Sequence, residues 1–160
     1  MIKVETIKCL KDNFAYIVHN GSEALVIDPS ESQPIAISLE KSKLRLKYIL
    51  NTHHHLDHVD GNLILKEKYK CKIIGFIDDK ERIPGIDICL KDKEVFEEGD
   101  FQFKTYHTPG HTSGHICYHF FNHKKLFTGD TLFSLSCGRL FEGTYEAVSY
   151  THLRAHETAS

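Results

Sequence analysis

Within seven residues the chain sets out Thr52-His53-His54-His55-Leu56-Asp57-His58. Five of these side chains can bind a metal, and His53, His55, Asp57 and His58 give the spacing His-x-His-x-Asp-His. Imidazole nitrogens and a carboxylate crowded in this way suit zinc, iron or manganese rather than a thiolate cage. An isolated pair of histidines is ordinarily a solvated surface feature. Four histidines and an aspartate in one short stretch, with Gly61 three positions on, argue for a metal site instead. Two later stretches extend it, Thr108-Pro109-Gly110-His111 and Thr128-Gly129-Asp130. Alone, an aspartate after a glycine is a turn former. Beside two other candidate ligand loops, Asp130 gains a functional reading.

The elements that must position these residues are strands and short helices. Residues 2–9 and 14–19 read as strands, and Asn20-Gly21 marks the hairpin turn before the apolar strand 24–27. Asp28-Pro29-Ser30 ends that strand, and a helix is expected over 34–42 with Ile35 and Leu39 on one face. Strand 46–50 follows, so the His-rich loop hangs from its carboxyl end. A helix over 61–69 and a strand over 72–75 complete a parallel crossover rhythm. Residues 78–93 are polar and contain Pro84-Gly85, which predicts irregular structure. Residues 94–97, 101–107, 115–121 and 125–128 read as strands, with a turn at Gly99-Asp100. Ligands gathered at the carboxyl ends of strands are a common way for mixed folds to build sites.

His107, His111, His115, His119 and His123 recur every four residues, the spacing of one helical face. Pro109, Gly110 and Gly114 interrupt that run, and β-branched and aromatic residues fill its second half, so a helix is costly. The stretch 108–114 reads instead as a loop between strands, with His111 at its centre. His119 and His123 are ordinary strand and turn residues on this reading. His107 and His115 stay undecided.

A chain of 160 residues has room for one hydrophobic core and is short for two. With 41% apolar and 26% charged residues and a net charge of −2, it is a soluble globular composition. Lysines and arginines are scattered among acids, so no nucleic-acid partner is expected. Apolar runs such as 24–27 fall far short of the ~20 residues of a membrane span. Lys3, Glu5 and Lys8 break up the start, leaving no apolar region of a signal peptide, so a cytoplasmic monomer is expected. The five cysteines Cys9, Cys71, Cys89, Cys117 and Cys137 are odd in number and form no C-x-x-C pair, which favours reduced, packed thiols. Cys137 is no better as a nucleophile, since Ser136 and Gly138 offer it no base.

The stretches THHHLDHVDGN, TPGHTSGHICY and FTGDTLFSLSCGRLFEGT resemble the metallo-β-lactamase superfamily. The third, with Cys137-Gly138-Arg139 and Glu142-Gly143-Thr144, resembles the hydroxyacylglutathione hydrolases (glyoxalase II) within it. The resemblance runs from Ile2 to about Glu146. It implies an α/β (α+β) fold of the αββα kind, two mixed sheets flanked by helices, incomplete at the C-terminus, with a two-metal site along one edge. It also implies His53, His55 and His111 around one divalent ion, Asp57 and His58 at the second, and Asp130 bridging both. The ions would be zinc, with iron or manganese as alternatives. The implied reaction is hydrolysis of S-2-hydroxyacylglutathione thioesters by hydroxide generated at the metals, with Asp57 and Asp130 in catalytic positions.

Arg139 matches a glutathione-contacting cation of that family, although by spacing alone it is equally an exposed surface arginine. Phe141 stands where some members carry tyrosine, so a hydroxyl contact is absent there. The family's last metal-binding histidine and its C-terminal glutathione-gripping helices find no match. Residues 1–146 are therefore expected to form a truncated catalytic domain, and 147–160 a non-native tail whose His152 and His156 are bland surface residues. Two other functions stay open. One is an iron-dependent persulfide dioxygenase of the same superfamily, using two histidines and an aspartate. The other is an inactive metal-binding fragment.

Overall fold

The computed structural model describes residues 1–132, 138–139 and 141–142. Cys137, His152, His156 and the tail 147–160 lie outside these described residues. The chain lays down β1 (Lys3–Cys9), β2 (Asn13–His19) and β3 (Glu23–Ile27), then α1 (Ser32–Lys41) and β4 (Arg45–Leu50). The one-turn helix α2 (Leu56–Val59), α3 (Asn62–Tyr69), β5 (Lys72–Phe76) and β6 (Ile88–Leu90) follow. A second group comprises β7 (Val95–Glu98), β8 (Phe101–His107), β9 (Ile116–Phe120) and β10 (Lys125–Phe127).

The first six strands form one sheet in chain order, antiparallel through β3 and parallel from β3 to β6. The other four form an antiparallel sheet in the order β10-β9-β8-β7. Leu25, Ile27, Leu50 and Ile74 from the first sheet meet Phe103, Ile116, Tyr118 and Phe120 from the second in one buried layer. Ala24, Val26, Ile49 and Ile73 point the other way and are covered by Ile35 and Leu39 of α1 and Leu65 of α3. Strands β3, β4 and β5 are thus apolar on both faces, as expected of a sheet sandwiched between layers.

Two hydrogen bonds join the sheets beside the His-rich loop. The Ile116 N–H donates to the Thr52 carbonyl at 2.9 Å, and the Tyr118 hydroxyl donates to the Asn51 carbonyl at 2.8 Å. Both acceptors belong to the segment leaving β4, where the His-rich loop begins.

Most expected elements appear within two residues of their anticipated ends. Helix α1 starts at Ser32, ahead of Pro34; the first-turn amides of a helix have no intrahelical partner, so proline is tolerated anywhere in that turn. The polar stretch 78–93 contains one strand the sequence did not suggest. β6 is only three residues long and is held to the edge of β5 by parallel pairing, with Asp87 tied to both the carbonyl and the amide of Ile73. Four cysteines fall among the described residues, all as free thiols, with Cys9, Cys71 and Cys117 buried. Burial pushes the thiols of Cys71 and Cys117 up to about 11, which makes them packing groups rather than nucleophiles.

Candidate metal centre

β3 and β4 run in parallel and release the chain at neighbouring positions, Asp28 after one and Asn51-Thr52-His53 after the other. Asp28 sits at φ 50°, a left-handed conformation that aspartate tolerates, and is almost fully buried. Its Oδ1 accepts the Thr52 N–H at 2.7 Å and its Oδ2 the Thr52 hydroxyl at 2.6 Å. With its proton committed to Asp28, the Thr52 oxygen is left to accept from His53 Nδ1, 3.0 Å away. That fixes the tautomer of His53 and turns its Nε2 lone pair into the site. Below the loop, the buried amides of Asn51 and Asn62 hydrogen-bond each other, and Asn51 also donates to the His58 carbonyl at 3.2 Å.

Around His53 stand the rings of His55, His58, His111 and His115, with centroids 4.2 to 4.9 Å away. His55 Nδ1 and His111 Nε2 are 3.0 Å apart. The Asp130 carboxylate spans the cluster: Oδ2 lies 3.3 Å from His111 Nε2 and Oδ1 lies 3.2 Å from His58 Nε2. His58 Nε2 is also 3.7 Å from Asp57 Oδ2, and its Nδ1 is 3.2 Å from Asp28 Oδ2. Asp57, half exposed, is steadied from outside, with its Oδ2 and its carbonyl accepting from Asn13 Nδ2 at 3.0 and 2.9 Å. Next to this carboxylate side opens a cavity of about 800 Å³, lined in part by Tyr16, Asp57, His58, Lys125, Phe127 and Asp130.

His115 is fully buried and stacks on His53. The Asp130 amide donates to its Nε2 at 3.1 Å, so Nδ1 carries the proton and donates toward Thr108 or Thr131. Burial, with the neighbouring His111 adding to it, lowers its pKa to about 3; it is a neutral prop under Asp130. Gly129 makes this approach possible. At φ +49° a Cβ there would lie 2.4 Å from Thr52 Oγ1 and 2.8 Å from His115 Nε2.

Arg139 and Phe141 lie over the far side. His111 Nδ1 donates to the Arg139 carbonyl at 2.7 Å, and the Phe141 N–H returns to the His111 carbonyl at 3.3 Å. The Phe141 ring stands edge-on to His55 and His111, at 5.6 and 5.2 Å.

A divalent cation fits what is built here. The potential ligand atoms of His53, His55 and His111 lie within 4.8 Å of one another, as do those of Asp28, His53 and His58. His53 Nε2 is buried with no hydrogen-bond partner among the described residues, an orphan that costs free energy unless something positive meets it. Burial and the surrounding imidazoles hold His53 well below its ordinary pKa, so it stays a neutral donor. Burial disfavours a charged His58, but its hydrogen bonds with Asp130 and Asp28 prevail and raise it to about 10. Burial works against ionisation of Asp130 too, yet His58 and His111 keep it below the usual carboxylate range. The pocket thus demands positive charge beside two carboxylates, and its donor set is nitrogen and oxygen throughout.

All six anticipated ligand positions, His53, His55, Asp57, His58, His111 and Asp130, meet at this edge, and Arg139 and Phe141 lie against it. His107 is apart, stacked on Phe76 and bonded to the Ser113 carbonyl. Sequence reasoning missed Asp28, Thr52, Asn13 and His115 as supporting groups. Asp28 read only as a strand terminator, and only the position of His115 immediately before β9 could have singled it out.

The profile of the metallo-beta-lactamase superfamily matches residues 11–155. Among curated proteins, the chain is similar to the hydroxyacylglutathione hydrolase of Pelagibacter ubique, 53% identical over 146 residues, which is 90% of this chain and 61% of that protein. It is 46% identical to the protein of the same name from Methylococcus capsulatus over 159 residues, 97% of this chain and 62% of the relative. The chain therefore spans about three-fifths of the length of these relatives. Among solved structures, the BLEG-1 B3 metallo-beta-lactamase superposes with a TM-score of 0.88 at 24% identity, covering 99% of this chain and 87% of that one. The ETHE1 protein of Myxococcus xanthus gives 0.82 at 22% identity, covering 95% and 68%. At such identities these superpositions show the shared fold.

Proposed function

The chain belongs to the metallo-beta-lactamase superfamily, and from that premise we propose that it hydrolyses S-2-hydroxyacylglutathione thioesters, such as S-lactoylglutathione, to glutathione and a 2-hydroxy acid. The observation that carries this reading is the Asp130 carboxylate, which reaches His111 with one oxygen and His58 with the other. Two ligand sets thereby share one bridging group. The names of the curated relatives and the stretch Gly138-Arg139 to Glu142 support the thioester as substrate.

In this reading His53, His55 and His111 would hold one divalent ion, Asp57 and His58 a second, and Asp130 would serve both, with zinc the ion that best suits the donors. When bound, such ions would supply Lewis acidity and bring the pKa of a water down to about 7. The protein's own groups do the rest. Asn13 pins one Asp57 oxygen and leaves the other to orient the attacking water. The Thr52–Asp28 relay keeps His53 in one tautomer, and His115 holds the Asp130 backbone in place. Phe141 presents an apolar edge to the reacting group, without a hydroxyl, and Arg139 offers a cation to the glutathione carboxylates. The same reading makes the protein a cytoplasmic monomer; among the described residues no helix is long and apolar enough to cross a membrane.

The alternative of an iron-dependent persulfide dioxygenase needs one set of two histidines and an aspartate. The second set around His58 is what favours the thioesterase. Thiol release from S-lactoylglutathione by the zinc-loaded chain tests the proposal, and Asp57→Ala should abolish it. Oxygen uptake with glutathione persulfide by the iron-loaded chain, with no thiol released from S-lactoylglutathione, would replace the thioesterase reading with the dioxygenase.

A further inference from the structure

Arg82 lies outside the ligand shell, just after the 3-10 turn that follows β5. Its Nε donates to Asp79 Oδ1 at 3.0 Å, and Nη2 donates to the same oxygen and to Ser113 Oγ at 2.9 Å. Its Nη1 donates to both oxygens of Glu142, at 2.9 and 3.0 Å. Glu142 Oε2 also accepts the Ser113 N–H at 2.7 Å. Asp79 is wholly buried, and its second oxygen lies 3.3 Å from His54 Nδ1. Gly114 lets the loop come this close, because a Cβ there would lie 2.0 Å from Asp79 Oδ1.

One guanidinium thus ties together residues far apart in sequence: the His53–His55 loop, the turn at 79–82, the loop at 111–114 and Glu142, close in sequence to Arg139 and Phe141. The loop at 111–114 carries His111, whose hydrogen-bond acceptor is the Arg139 carbonyl and whose ring meets that of Phe141 edge-on. An Asp79–Arg82 pair alone would anchor the turn. The contact to Glu142 reaches 60 residues along the chain to an exposed side chain, and that reach is what a purely local ion pair does not explain. The planar fork serves Asp79 on one edge and Glu142 on the other, a task a lysine point charge cannot perform.

We propose that Arg82 is a positioning residue that, through Glu142, latches Arg139 and Phe141 onto the His111 loop and thereby sets how tightly the glutathione portion of the substrate is held. The latch itself stands on the contacts above; its effect on substrate rests on the thioesterase reading.

Two measurements on the zinc-loaded chain separate these parts: amide hydrogen exchange over 138–142, and KM and kcat for S-lactoylglutathione. Glu142→Ala releases the latch while sparing the buried Asp79–Arg82 pair, so it tests the idea even if Arg82→Gln fails to fold. Faster exchange over 138–142 is expected in Glu142→Ala and Arg82→Gln. KM should rise roughly fivefold, the upper end for a partly exposed ion pair, with kcat kept within about twofold. Arg82→Lys should recover only part of the loss. Unchanged exchange in Glu142→Ala overturns the latch whether or not the thioester is hydrolysed, and a fall in kcat at constant KM overturns its role in holding substrate. If neither the parent chain nor the variants release thiol, yet exchange still rises, the latch stands and the thioesterase reading fails.

Discussion

Replacing Asp28 with alanine should cripple both the fold and the metal centre. Asp28 is 3% exposed and accepts two protons from Thr52, itself 1% exposed. Alanine leaves the Thr52 amide and hydroxyl without an acceptor, each at a cost of about 1–3 kcal/mol. It also has to occupy φ 50°, where an alanine gives up about 1–2 kcal/mol relative to favourable backbone. After relaxation, a loss of about 3–5 kcal/mol is expected, a large fraction of the ~5–15 kcal/mol that holds a typical domain together. Asparagine tolerates the left-handed backbone and keeps one acceptor, so Asp28→Asn should lose about half as much. Urea unfolding of the metal-free proteins measures the shift in midpoint at constant slope. A competition titration with a zinc chelator should show ~10–100-fold weaker binding once Thr52 no longer orients His53. A loss under about 1 kcal/mol for Asp28→Ala, or equal losses for alanine and asparagine, would refute the relay.

Gly129→Ala should destabilise the chain by roughly 2–4 kcal/mol, combining left-handed strain with overpacking against Thr52 and His115. Gly21→Ala, also at positive φ but with nothing within 4 Å of its Cβ, should show only the backbone part; equal losses in a thermal melt would contradict the packing account. The Ser113 N–H and then the Arg82 fork hold Glu142 down to about 2. Because this folded value is depressed below the ordinary 4.5, the contact stabilises the fold fully above about pH 4.5 and is lost as pH falls through about 2. The side-chain carboxyl shift of Glu142, followed by NMR, should show a midpoint near the lower figure in the parent chain and a raised one, still below the ordinary value because the Ser113 N–H remains, in Arg82→Gln. Arg139→Ala should raise KM for S-lactoylglutathione and leave kcat in place, since glutathione binding changes little during reaction; a lower kcat alone would remove Arg139 as a ground-state anchor.

Much of this molecule could be read from its sequence because its signals are local. Alternating and continuous apolar runs mark the strands of both sheets, and the crowding of His53, His55, Asp57 and His58 marks one arm of the candidate site by residue type alone. Proline and glycine correctly defeated the helical spacing of the later histidines, leaving His119 in β9 and His123 in a turn. What stayed hidden depends on contacts between distant segments. β6 exists because β5 offers it an edge. Asp28 ends a strand in any sequence, and only the parallel register with β4 places it under Thr52. Arg82 looks like a surface cation until Asp79, Ser113 and Glu142 converge on it.

The join between the two sheets bears on when the centre can be assembled. His53, His55, Asp57 and His58 belong to the half of the chain synthesised first, while His111 and Asp130 arrive with the second sheet. Their hydrogen-bonded seam at Asn51-Thr52 and Ile116–Tyr118 forms only once β9 has docked. Early in synthesis, at about 5–20 residues per second, the nascent chain displays a loop of imidazoles with neither Asp130 nor His111 beside it. An ion held at that stage would be weakly bound and free to exchange. Retention therefore falls to the end of folding, and metal occupancy becomes a record of whether the two sheets closed on each other correctly.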